Sequence, residues 1–558
     1  MEMTFAVNYR QNRRADAGVT LISGIWFCGL LNYILPNHGG GGLNLPQNLL
    51  AWSVMALIGL WCLYRLPQKR EVALPSGTLL VMAGILLWSL PLLWTPRADW
   101  RLNALPRVLA LWGMAGFWLL LLYATSGIRL RARWLLILVT AALMQAGWAV
   151  WQFFQPDVLA GGRPYGSFQQ VNVLASFVAT GVVCALWLFL HNRRYRWVSA
   201  VAVLILPAVL VILQSRAGSL GAASGVILLS LSKWPQQKRR ITNAFLLITA
   251  GIGIGLAGLH LINVIYPDFS VIVDKENSTS ARIYMLKLTW QLILTHPIMG
   301  CGYGSFESLF GQLAQIIPPG LEADTMQYPH NELLYAWVEG GIVAVIGILL
   351  IVVGILKRLW GKGGTKYAGV ALLLPLAIHT NLEYPLYQSA THCLTLIMLL
   401  VISGRQIVTT HEDEIKQPYR VWRIPAGILT VAILLFMITG LQTQARITKI
   451  EQQGLMPLAV NEQAELKALL NPYSQYERLE FDRHVAMLLK FNLTRDPALL
   501  EQFRHWAEAY LELHNDPSVY ASLLMIARAY HQPNAENICQ QAKGRWLSDP
   551  RFVCAEKK

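Results

Sequence analysis

The stretch "RWVSAVAVLILPAVLVILQSRAGSLGAASGVILLSLS", residues 196–232, holds two apolar runs, 197–213 and 217–232, parted by Gln214-Ser215-Arg216. Arg193, Arg194 and Arg196 precede the pair; Lys233, Lys238, Arg239 and Arg240 follow it. Runs of this length approach the thickness of a hydrocarbon core, about 30 Å, when helical. Lysine and arginine collect in loops on the cytoplasmic side of a membrane. The stretch therefore reads as two short membrane helices hinged at an outer turn that carries an arginine.

The same pattern extends along the chain, which is 54% hydrophobic and 14% charged over 558 residues. Soluble domains carry about 25% charged residues. Apolar blocks fall at 18–36, 47–64, 77–94, 104–126, 134–155, 168–190, 197–213, 217–232, 242–265, 331–356, 367–384, 388–404 and 424–441. Trp and Tyr, 20 of each, crowd the block ends as interfacial belts do. The prediction is an all-α, polytopic helical membrane bundle with thirteen transmembrane helices and a cytoplasmic N-terminus.

The net charge of +15 is a topology signal, not a nucleic-acid footprint. Arg10/Arg13/Arg14, Arg65/Lys69/Arg70, Arg129/Arg131/Arg133, Lys357/Arg358/Lys362/Lys366 and Arg405/Lys416/Arg420/Arg423 occupy alternate loops. The first apolar block lacks a small-residue cleavage site, so no cleavable signal is expected. Four segments result: membrane helices 1–265, a large outer loop 266–330, membrane helices 331–441, and an outer helical domain 442–558.

In the loop, "STSARIYMLKLTWQLILTHPIMGCGYGSF" places Ile283, Leu286, Leu288, Trp290, Leu292 and Ile293 at helical spacing. That predicts an amphipathic helix along the membrane surface, capped by Thr279/Ser280 and broken at Gly300, Gly302 and Gly304. The tail reads as successive amphipathic helices without a clean repeat period, a domain for packing or partner docking. Seven cysteines show no CxxC or zinc spacing. Cys539 and Cys554, on the outer side, are disulfide candidates.

Ionisable residues at membrane depth are costly and point to function. Arg216 in "QSRAG" and Arg282 in "TSARIYM" lie on the outer side. Together they offer planar cationic forks for a substrate bearing two phosphates, such as a lipid-pyrophosphate-linked donor. His330 in "YPHNELLYAWVEGG" stands where a helix starts, able to accept a proton near pH 7. Glu332 and Glu339 share one face of that helix and either orient the histidine, pair with an arginine, or pack. "RPYGSFQQVNVLAS" brings Arg163, Gln169, Gln170 and Asn172 to the outer side, and "HTNLEYPLYQSATH" brings His379, Asn381, Glu383, Tyr384, Tyr387 and His392. No metal-ligand spacing appears among them.

These stretches, in this order, resemble the O-antigen ligase/polymerase superfamily. The nearest likeness is to bacterial protein O-oligosaccharyltransferases of the PglL type, strong over residues 160–400 and weak in the tail. The resemblance implies inverting transfer of a glycan from undecaprenyl pyrophosphate to Ser/Thr hydroxyls of a periplasmic, pilin-like protein, with no metal or other cofactor. It assigns Arg216 and Arg282 to the donor pyrophosphate and His330 to activation of the acceptor. Gln169 or Gln170, and Tyr384 or Tyr387, match further functional positions. An O-antigen ligase acting on lipid A-core and an O-antigen polymerase are the alternatives within the superfamily. A flippase or transporter would need charges in mid-helix and repeated halves, which the sequence does not display.

Overall fold

A computed structural model describes residues 2–66, 75–125, 127–155, 159, 162–266, 276–316, 326–359, 365–404 and 419–554, and within these every regular element is helical. Among them, nine helices are long and apolar enough to cross a membrane, judged by length and composition. Three shorter apolar helices, Thr78–Leu93, Tyr367–Thr380 and Ala390–Ser403, match three more of the expected blocks. Arg216–Ile265 is 50 residues long, holds two expected blocks, and kinks at Gln237 just after Pro235. The protein is a polytopic helical membrane protein. Of the expected basic clusters, Lys69, Arg70, Lys362, Arg405 and Lys416 lie outside the described residues.

The hinge of the opening stretch has a clear local cause. Gln214 ends the helix Arg196–Leu213 in the left-handed conformation (φ 50°, ψ 32°). The Ser215 side chain then accepts from Gly218 N and caps the next helix, a device worth about 1 kcal/mol. Small residues beyond the cap let that helix pack closely. A Cβ on Gly218 would lie 2.7 Å from the Ala175 Cβ, and one on Gly221 2.9 Å from the Pro375 Cα.

Cα packing divides the chain into two compact units. The first comprises residues 1–82, 111–273 and 351–441; the second comprises 83–110, 274–350 and 442–558.

In the second unit the amphipathic helix runs Glu276–Thr295. It starts earlier than the sequence suggests, so Thr279 and Ser280 lie inside it rather than ahead of it. Its buried stripe is Met285, Leu288, Thr289, Leu292 and Ile293, while Ile283, Leu286 and Trp290 are exposed. The tail helices Met456–Lys467, Tyr476–Thr494, Pro497–Leu511, Pro517–Ala529 and Ala535–Arg545 pack each on the next. Asp496 and Asp516 cap two of them directly before a proline at the first helical position. Phe503, Ala507, Leu523, Ala527 and Cys539 lie in their shared core. Cys539 and Cys554 are joined in a disulfide, with Cα atoms 5.7 Å apart. Glu536 lies close to both sulfurs, but a disulfide leaves no thiolate for a metal.

The tail also packs on the short helix Phe306–Ile316 of the same unit. Glu307 accepts from Asn515 N at 2.8 Å and pairs with His514 Nδ1 at 3.1 Å. Ser308 Oγ donates to the Glu512 carbonyl at 2.7 Å.

Candidate active site

Three motif stretches open on the same local design. Gln169 (φ 58°), Gln214 (φ 50°) and His330 (φ 52°) are all left-handed, which is uncommon outside glycine. Each directly precedes a residue whose side chain caps a helix: Gln170 accepts from Val173 N, Ser215 from Gly218 N, and Asn331 from Leu334 N. The three residues therefore sit at the positive ends of helices, where anionic groups are stabilised.

In the first unit, the polar residues of three stretches meet at a buried carboxylate. Glu383, 4% exposed, accepts from Asn172 Nδ2 at 2.5 Å. His379 Nε2 lies 3.2 Å from its other oxygen, and Gln170 Nε2 reaches that oxygen at 3.5 Å, the outer limit of a hydrogen bond. Asn172 Oδ1 accepts from Ser215 Oγ at 2.7 Å, so the chain runs to the residue before Arg216. A second buried histidine, His392, bridges Ser176 and Ser389 at 2.9 and 3.0 Å. Arg216 is itself exposed at the first position of its helix.

Two neighbouring groups feel the same carboxylate. Burial lowers the Arg163 pKa, and the charge of Glu383 partly restores it. Burial, followed by the Glu383 charge, raises the pKa of the Tyr384 hydroxyl, keeping it a neutral donor. Tyr387 is half-buried in the short helix Pro385–Gln388. Gln169, also half-buried, lies in the turn ahead of the Gln170 cap.

Arg282 and His330 belong to the second unit. Arg282 is half-buried in the amphipathic helix. His330, also half-buried, follows the buried Pro329. The helix after it, Glu332–Leu359, departs from helical geometry at Gly341 (φ 64°, ψ −164°). The expected single span beginning at 331 is therefore a short helix carrying His330 at its entrance, then a break, then the apolar span. Glu332 falls in the first helical turn, where a carboxylate complements the helix dipole.

The break is filled by the glycine-rich loop. Cys301 N and Gly302 N donate to the Val338 and Glu339 carbonyls at 2.7 and 2.9 Å, and Ile342 N donates to Pro297 O at 3.1 Å. Carbonyls released by the interruption are thus satisfied by backbone, as a buried site requires. Glu339, 1% exposed, accepts from Gly304 N and Phe306 N at 3.0 and 3.2 Å and pairs with Arg107 at 2.5 Å. The Arg107 guanidinium lies over the rings of Tyr303 and Tyr335, 5.0 and 4.6 Å from their centroids. Tyr335 meets Tyr328 edge to face, 5.5 Å between centroids, two residues before His330. Of the three roles open to Glu339, the geometry selects pairing with an arginine.

Arg107 was not among the residues singled out in the sequence. The available signal was a lone cation after Pro106 within an apolar block. His379 and Glu383 were visible as polar residues four apart, but their partner Asn172 lies 211 residues from Glu383.

Residues 164–189 match the protein glycosylation ligase family, and residues 200–349 match the O-antigen ligase family. Residues 367–552 match the family described as virulence factor membrane-bound polymerase, C-terminal. No curated protein matches the chain significantly.

Proposed function

We propose, for a chain that belongs to the superfamily of O-antigen ligases and protein glycosylation ligases, en bloc transfer of a glycan from undecaprenyl pyrophosphate to Ser/Thr hydroxyls of periplasmic proteins. The observation that carries this reading is the hydrogen-bonded network from the buried Glu383 through Asn172 to Ser215, which reaches the start of the helix opened by Arg216. A cation at the positive end of a capped helix suits a phosphate.

The chemistry follows from charge development. The acceptor hydroxyl oxygen attacks the anomeric carbon from the face opposite the phosphate, and the carbon–oxygen bond to the pyrophosphate breaks. The leaving group departs with the bonding electron pair. Arg216 and Arg282 neutralise the charge that grows on it, usually the largest catalytic term. His330 takes the proton of the hydroxyl. The product is inverted at the anomeric carbon. The enzyme lies in a bacterial inner membrane, with this site and the tail on the periplasmic side.

The test supplies membranes carrying the chain with a lipid-linked oligosaccharide and two acceptors, a purified periplasmic protein and lipid A-core. Glycan on the protein, at Ser or Thr by mass spectrometry, is the expected result. Glycan only on lipid A-core, which the O-antigen ligase match would accommodate, overturns the protein-directed reading.

A further inference from the structure

Glu383 has a feature its neighbours lack: it can only accept hydrogen bonds. Asn, Ser and neutral His side chains can each present a donor or an acceptor, so a network built from them alone has no fixed direction. An ionised carboxylate at one end removes that freedom. With Asn172 Nδ2 donating to Glu383 at 2.5 Å, Asn172 Oδ1 must face Ser215. The Ser215 hydroxyl donates to it at 2.7 Å, which leaves Ser215 Oγ lone pairs to accept from Gly218 N at 3.3 Å. Every bond in the chain is therefore aligned in one sense, ending at the first turn of the helix that opens with Arg216.

We infer that Glu383 is a positioning residue for the donor pyrophosphate, acting through Asn172 and Ser215 on the start of the helix that carries Arg216. The inference rests on the glycan-transfer reading for its ligand, and on the geometry alone for its effect on the helix. His379 supports the carboxylate from its other oxygen at 3.2 Å. Glutamine at 383 keeps an oxygen for Asn172, and a neutral imidazole switches tautomer to accept from the new amide. Alanine leaves the Asn172 amide and the His379 Nε2 facing a gap.

The experiment compares full-length wild type, Glu383→Ala and Glu383→Gln in lipid nanodiscs. Hydrogen exchange at the Gly218 and Ser219 amides is expected to accelerate about tenfold in Glu383→Ala and to stay near wild type in Glu383→Gln. In the transfer assay, Glu383→Ala raises the KM for the lipid-pyrophosphate donor about tenfold with the acceptor KM unchanged. Asn172→Ala does the same, and the double variant adds little, as members of one chain do. A merely structural role lowers the active fraction and leaves both KM values alone; that result overturns the inference. Unchanged exchange at Gly218 and Ser219 in Glu383→Ala also overturns it. If Glu383→Ala does not fold, Asn172→Leu, which neither donates to Glu383 nor accepts from Ser215, carries the same two expectations. Wild type that transfers glycan to neither acceptor removes the glycan-transfer reading and the donor half of the inference together, while the exchange arm still decides whether Glu383 orders the helix start.

Discussion

Arg107 and Glu339, 232 residues apart in sequence, form an ion pair at 2.5 Å with the carboxylate almost wholly buried. The other Glu339 oxygen is committed to the amides of Gly304 and Phe306. Removing one partner of such a pair leaves a buried charge uncompensated, at a cost of about 3–5 kcal/mol. Glu339→Ala and Arg107→Ala should each lower the melting temperature of the purified protein markedly. The double variant should lose less than the two singles summed. Wild-type melting in both single variants would show that the pair does not hold the loop.

The neighbouring glycines give a second test. Gly341 has φ 64°, and a Cβ there would sit 2.1 Å from the Ile298 carbonyl oxygen. Alanine must carry the cost of a positive-φ, extended conformation that essentially only glycine adopts, about 1–3 kcal/mol, and also force the loop away. Gly253 is helical with open space around a Cβ, so alanine there should be neutral or stabilising by up to about 1 kcal/mol. Thermal unfolding of Gly341→Ala and Gly253→Ala should therefore move in opposite directions or differ by at least about 2 kcal/mol. Equal melting temperatures would contradict the close approach of loop and helix.

The tail should weaken as pH rises. Burial pushes the His514 pKa down, but its bond to Glu307 and the charges of Glu307, Glu477 and Asp516 outweigh this and leave it above 6.5. A histidine whose folded pKa is raised contributes stability that is present below the unfolded value and lost as pH climbs through the folded one. Burial, with the Glu451 charge, pushes Asp482 up to about 8 against the opposing pull of Arg478. That carboxyl keeps its proton in the fold, so stability again falls as pH rises, here from about 4 to 8. The melting temperature should drop between about pH 6 and 9, and His514→Gln and Asp482→Asn should each flatten part of the slope. A profile that rises over this range would contradict both assignments.

The parts of this molecule legible in the sequence are those governed by local periodicity. Apolar length gave helix bounds within a few residues for Pro46–Arg65, Arg196–Leu213 and Ala390–Ser403, and the hinge at 214–216 was visible because Gln, Ser and Arg interrupt an apolar run. The break at Gly341 was not, since a single Glu before two glycines does not by itself end a helical run and the loop that fills the gap comes some 40 residues earlier. The hub residues Arg107 and Glu383 depend on partners more than 200 residues away, which no periodicity encodes. The motif stretches were recognisable, but not that three of them share a left-handed residue before a capping side chain.

His330 permits a separation of backbone from chemistry, because its left-handed conformation (φ 52°) is one that asparagine adopts readily. His330→Asn should therefore keep the turn and the Asn331 cap, with melting within about 1 kcal/mol of wild type. It removes the imidazole, so glycan transfer should fall by about 10²- to 10⁴-fold, the usual contribution of a general base. The KM for the lipid-linked donor should not change, since the proton transfer concerns the acceptor. Asn331→Ala makes the complementary disturbance: the imidazole stays, the cap from Leu334 N is lost, and stability falls by about 1 kcal/mol. Near-wild-type transfer by a folded His330→Asn enzyme would exclude the imidazole as the base and leave the left-handed turn as the reason a histidine stands there.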